Sequence, residues 1–351
     1  MLYSISYCMQ RKVIKQGHNT FTVTLPSKWA HDQGITAGSE LDVVEQGNSL
    51  VIGTNKSNGG LGAVEIDITG LPNSLLWRLI SAAYRAGYDE IHINYEGMTS
   101  DKAHYSEFSY DITDWFYKGE LPKGKMNKLT PLEAIQALVN RFIGVEITDQ
   151  RPNYVIVKQF GEISYHEFGN ALRRMFMLTM TMGKDILNVL ETNDRAALQG
   201  IHMMDTNLDR FEDYCLRVLN VKGYEEYKKT PTMYTTIFNL ELIGDEYKRI
   251  AQHVLSENVK YSQSHLKFFN LINEQFQLYF DLFYNPKREK AIKIFEKDTE
   301  LSALAIKLSE KSTTDEKELM HHLKKIARLL ISLTELAIDL KCETAFGKKV
   351  Y

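Results

Sequence analysis

The chain has 351 residues, 44% of them hydrophobic and 25% charged, with a formal net charge of −3. That is an ordinary globular composition, with length for two or three domains. The near-neutral balance gives no global sign of a nucleic-acid partner, and no run of about 18 apolar residues offers a membrane span.

The charge is nevertheless uneven. Between Met1 and Ala30 there is no acidic residue, whereas Arg11, Lys12, Lys15 and Lys28 are basic, and the first acid is Asp32. Cys8, Cys215 and Cys342 are far apart, without CxxC spacing, which fits a reducing interior better than a disulfide framework. The first residues alternate apolar and polar, unlike the continuous apolar block of a signal peptide, so a cytoplasmic location is expected.

Residues 1–56 read as short strands separated by turns at Gly17-His18-Asn19, Gly34, Gly38 and Gln46-Gly47-Asn48. Pro26, directly after a strand, starts a short helix. Residues 55–62 (NKSNGGLG) form a glycine-rich linker. A second unit, 63–160, follows in the order strand, helix, strand over 64–68, 74–87 and 90–94, which predicts a parallel pair with a crossover helix. Thr130-Pro131 begins another helix running to Phe142, and 145–148 and 154–159 form a hairpin around Arg151-Pro152-Asn153. From residue 164 to 346 the apolar period is helical throughout. Six helices are expected near 164–192, 195–220, 231–262, 265–284, 287–312 and 315–346, opened by a Ser164/Glu167 capping box. They fall into two groups of three, as a duplicated unit would.

The first 55 residues closely resemble the SpoVT/AbrB (MazE-like) DNA-binding domain. The resemblance lies in the basic Arg11-Lys12-Val13-Ile14-Lys15, the Gly17 turn, Val23-Thr24-Leu25-Pro26, and Gly34-Ile35-x-x-Gly38. Ser39 stands where that family often has an acid. The resemblance implies a homodimer in which two chains interlock hairpins into one swapped-hairpin barrel. It also implies duplex DNA contacts from Arg11, Lys12, Lys15 and Lys28 to phosphates, with His18, Asn19 and Thr20 facing phosphates or base edges. The alternative is that these are solvated strand charges on a dimerisation module.

Two carboxylate pairs at i,i+4 spacing, Asp205/Asp209 and Glu241/Asp245, each share one helix face and offer oxygen ligands to a cation. Hard cations, or iron and manganese, suit such a set. The plainer reading is a solvated face balanced by Arg210, Lys248 and Arg249. Asp205-x-x-x-Asp209-Arg210-Phe211 and Leu240-Glu241-x-Ile243-Gly244-Asp245 resemble the (E/D)xxxD motifs of PhoU, which implies an all-α bundle of two three-helix repeats. It also implies a metal of the divalent or iron, manganese or zinc type, and regulation of phosphate uptake. In the second half, Asp298 and Glu335-x-x-x-Asp339 are comparable, but Ser302 replaces an acid. Gly244 marks close helix packing.

No GxSxG, Walker or Rossmann signature occurs, and the Gly59-Gly60-x-Gly62 run precedes a strand, so no enzyme is expected. The whole architecture resembles archaeal phosphate uptake regulators. The reading is a dimeric DNA-binding regulator. The alternative is an adaptor acting on a phosphate transporter ATPase or sensor kinase through protein contacts, with its head as a dimeriser.

Overall fold

The computed structural model describes residues 10–46, 49–54, 61–71, 73–96, 105–106, 128–129, 131–161, 165–194, 198–256 and 260–347. Residues 1–8, the Gly47-Asn48 turn, linker residues 55–60 and Ser164 of the expected capping box lie outside these. The chain divides into two compact units, Met1–Ser57 and Asn58–Tyr351.

In the first unit, β1 (Ile14–Gln16) and β2 (Thr20–Thr22) pair antiparallel, with Lys15 opposite Phe21. Gly17 supplies the positive φ (75°) that lets the chain reverse between them. Helix α1 (Ser27–Asp32) follows Pro26, and β3 (Leu41–Gln46) pairs with β4 (Ser49–Thr54) as a second hairpin. Among the residues of this unit whose burial is described, none is buried. Two separate hairpins and one turn-and-a-half of helix cannot enclose a core in a single chain.

The second unit opens with β5 (Ala63–Asp67), α2 (Asn73–Ala86) and β6 (Glu90–Asn94), and β5 and β6 are parallel, as a crossover helix requires. Two short strands, β7 (Tyr105–Ser106) and β8 (Lys128–Leu129), pair with each other. Helix α3 (Pro131–Val139) leads into the hairpin β9 (Val145–Arg151) and β10 (Tyr154–Gln159). The sheet order is β5-β6-β10-β9, with β10 antiparallel to both neighbours. Alternation along β6 turns Ile91 and Ile93 inward, where they meet Leu76 and Ile80 of α2, Leu138 of α3 and Val155 and Val157 of β10.

The helices of the bundle are α4 (Tyr165–Thr192), α5 (Gln199–Lys222), α6 (Thr230–Ser256), α7 (Gln263–Tyr284), α8 (Arg288–Ser309) and α9 (Thr314–Lys341). All six expected helices are present. The last ends at Lys341 in a π-type turn, Cys342–Phe346, instead of running on as α-helix. Between α8 and α9 the chain stops and restarts on a capping box, Thr313 and Glu316, in which each residue satisfies the other's backbone N–H. Helices α4, α5 and α6 pack on one another, as do α7, α8 and α9. The two triplets meet through their first helices, α4 with α7, and through their third, α6 with α9. Two glycines permit close approach. A Cβ on Gly244 would stand 2.1 Å from Leu208 of α5, and one on Gly183 of α4 would stand 2.7 Å from the buried Tyr247 ring.

The α/β layer rests on the bundle through α2 and α5. Arg217 of α5 is the largest side chain fully buried there, and it donates to the carbonyls of Tyr84 and Tyr88 and to Gln159 Oε1. Asn220 donates to the Arg85 carbonyl. Among the described residues, no helix is long and apolar enough to cross a membrane.

Candidate functional site

All seven residues expected to meet DNA are exposed. Lys15 lies on β1, with Arg11 and Lys12 just before it. His18 and Asn19 form the hairpin turn and Thr20 opens β2, so these three lie at the turn end, beside Lys15, whereas Arg11 and Lys12 lie toward the open end. Lys28 sits on α1, a separate element. The same unit exposes large apolar side chains, Phe21 at 69%, Leu50 at 66% and Val13 at 62%, together with Ile14, Val23 and Val43. Apolar exposure on that scale is large for so small a module.

The four carboxylates expected to hold a metal do approach one another, at the contact of α5 with α6. Helix α5 presents Asp205, Asp209, Glu212 and Asp213 at steps of four, three and one, an acidic row along one side. Helix α6 adds Glu241 and Asp245. Leu240, Gly244, Tyr247 and Ala251 of α6 are buried, while Glu241 and Asp245 are half-buried beside that arc.

What fills the space between the helices is a lysine. Lys248 Nζ donates to Asp205 Oδ2 at 2.6 Å and to Asp245 Oδ1 at 2.9 Å, and both Lys248 and Asp205 are buried. Burial alone would pull the ammonium pKa down, but Asp205, Asp245 and Asp209 together hold it above the ordinary lysine value. Arg249 adds a longer contact to Asp245, 3.6 Å. The other cations come from the α/β layer. Arg141, just after α3, donates to Asp209 at 3.0 Å while its guanidinium lies 4.0 Å over the Trp77 ring. Arg85 of α2 meets Asp213 at 3.1 Å.

The acids still outnumber these partners. Burial, with the neighbouring Asp213 charge, pushes Glu212 up to about 8, and burial pushes Asp213 up to about 6 despite Arg85. Glu241 is raised well above the ordinary range by burial, then by Glu212, Asp245 and Asp209. Asp205 and Asp209 are raised as well, burial again leading. Glu212 Oε1 and Asp205 Oδ1 lack a hydrogen-bond partner among the described residues.

The arrangement does not fit a bound metal as it stands. Among the described residues, no three Asp, Glu, His or Cys groups converge closely enough to ligate one ion, and Lys248 holds the place between Asp205 and Asp245. In the second half, Glu335, Asp339 and Ser302 are exposed and apart from any such cluster.

Sequence reasoning missed several polar contacts. His322 is buried against Glu246 at 2.6 Å, and His265 lies between Ser262, Ser312 and Glu316. His322–Glu246 and His265–Glu316 are long-range pairs without a local spacing. Lys248, three residues from Asp245, was legible as a balancing base.

Comparison with known proteins places the head. Residues 14–59 match the family model described as antidote-toxin recognition MazE, bacterial antitoxin. The head is MazE-like. The rest of the chain gives a match to the crystal structure of the phosphate transport system regulatory protein PhoU from Streptococcus pneumoniae. That match has 18% identity and a TM-score of 0.43, and it covers 53% of this chain and 97% of that one. No curated protein matches the chain.

Proposed function

We propose that the protein is a non-catalytic, DNA-binding transcriptional regulator, working as a homodimer through its MazE-like head in the cytoplasm. The observation that carries this reading is a basic, acid-free hairpin on a MazE-like module that has no core of its own. A second chain would cover Val13, Phe21 and Leu50, completing the swapped-hairpin barrel. That would leave Arg11, Lys12, Lys15 and Lys28 on one assembly, where phosphate neutralisation gives affinity. His18, Asn19 and Thr20 at the turn would supply contacts to base edges.

The regulated process we propose is phosphate uptake, and the support is the (E/D)xxxD likeness of Asp205/Asp209 and Glu241/Asp245. In this chain Lys248 and Arg141 already pair with Asp205, Asp209 and Asp245, so the metal expected at the site would enter only by displacing Lys248. A phosphate transporter ATPase or a sensor kinase is the proposed protein partner of the bundle.

A gel-shift experiment with the chain's own upstream DNA tests the reading. The wild-type protein should retard the fragment at moderate salt, and the Arg11→Ala/Lys15→Ala double variant should not. Absence of any shift, together with recovery of a transporter ATPase subunit in a pull-down, would favour the adaptor reading.

A further inference from the structure

A cavity of about 350 Å³ opens where the end of β10 and the start of β9 face α4 and α5. Its volume falls within the range of small-molecule sites, about 300–1,000 Å³. Nothing in the acidic cluster or the head makes use of it.

Its floor is unusual in charge. Arg217 is 1% exposed and lines the cavity, and its three hydrogen-bond partners are two backbone carbonyls and an amide oxygen. No carboxylate lies within ion-pair distance of it among the described residues. A guanidinium has five N–H donors, so donors remain, and a buried cation whose hydrogen bonds all go to neutral oxygens makes the cavity attractive to an anion. A second guanidinium, Arg174 of α4, lines the same cavity, is exposed, and pairs with nothing in the described structure.

The walls are aromatic. Phe160, just past β10, is 59% exposed although it borders a concave site, and Phe211 of α5 is half-buried beside the same space. Asn170 and Glu167, both exposed on the first turns of α4, offer a donor and an acceptor. A bare oxyanion would answer the arginines and leave the rings wet. An uncharged ring would do the reverse. Two guanidiniums on one anionic group favour a phosphate monoester, doubly charged and matched to the arginine fork, over a single carboxylate.

We propose that this cavity binds a small ring-bearing phosphate monoester of the nucleoside monophosphate type, its phosphate toward Arg217 and Arg174 and its ring against Phe160 and Phe211. The site is lined by both the α/β layer and the bundle, so its occupant bridges the two. It stands independently of DNA binding by the head.

Isothermal titration of the full chain, in a phosphate-free buffer, tests it directly. The four ribonucleoside monophosphates are the probes, with inorganic phosphate and adenosine as controls. At least one monophosphate should bind saturably, one per chain, with each control at least about tenfold weaker, the equivalent of one charge-assisted contact. Arg174→Ala and Phe160→Ala, both at exposed positions and so without consequence for folding, should each weaken binding by about tenfold or more. The proposal is overturned if no monophosphate binds. It is also overturned if inorganic phosphate binds as tightly, or if either substitution leaves the affinity unchanged.

Discussion

Replacing Lys248 by Met keeps the volume and removes the charge, which isolates what the ammonium does between α5 and α6. It is bonded at 2.6 Å to Asp205 and 2.9 Å to Asp245, with itself and Asp205 almost entirely out of water. Removing one partner of a buried pair typically costs about 3–5 kcal/mol, because the other charge is left uncompensated. The stranded carboxylate can escape by taking up a proton. That escape caps the loss at about 1.4 kcal/mol for each pH unit above the ordinary aspartate pKa. The cap is about 2 kcal/mol at pH 5 and does not bind at pH 8, so the full loss is expected only at the higher pH. At roughly 2–4 °C per kcal/mol for a domain of this size, the midpoint should fall by about 10 °C at pH 8 and far less at pH 5. Thermal unfolding followed by helix circular dichroism measures both. Added manganese or zinc should leave the wild type unmoved and raise the variant, since the acids are then free to take a metal in the ammonium's place. A loss under about 1 kcal/mol at pH 8, or an equal loss at both pH values, would refute the assignment of Lys248 as the resident cation.

Glu212 should respond in the opposite sense. Its folded pKa, about 8, lies above the ordinary glutamate value of 4.5, so its protonated form stabilises the fold at low pH. That contribution declines by up to about 1.4 kcal/mol per pH unit as pH rises from about 4.5 to 8. Glu212→Gln should therefore gain stability over wild type across that window and hold a constant advantage above it, by urea titration at several pH values. A Gly183→Ala variant drives a methyl group against the buried Tyr247 ring and should lose about 1–3 kcal/mol in the same assay. Phe21→Asp places a charge in the apolar surface of the head and should convert the proposed dimer into a monomer of 40.4 kDa by light scattering, with helix content unchanged.

The parts of the fold set by local periodicity were readable from the residues. The six bundle helices each carry an apolar stripe, as Leu240, Tyr247 and Ala251 do on α6, and the parallel β5–β6 pair follows from a strand-helix-strand run. Gly244 was readable too, since a helix-interior glycine calls for a close neighbour, here Leu208. The Asp205/Asp209 pair of α5 was visible, but Glu212 and Asp213 beside it were not picked out, and the neutralisation was only partly so. Arg141 reaches Asp209 from 68 residues away and Arg85 reaches Asp213 from another layer, and no spacing rule encodes such contacts. For the same reason, residues 63–160 gave no sign of their position against α5. That docking depends on the shape of a buried guanidinium, Arg217, which in sequence reads as one more arginine on an amphipathic helix.

Duplex DNA binding by a dimeric MazE-like head through its basic hairpin would show in the dependence of affinity on salt. Fluorescence anisotropy with a labelled duplex from the chain's own upstream region gives the slope of log affinity on log salt. Each neutralised phosphate contributes about −0.9 to that slope. The wild type should give a steep negative slope, and Arg11→Ala/Lys15→Ala a shallower one with weaker binding. Binding that is absent at low salt, or a slope that the double substitution leaves unchanged, would contradict it.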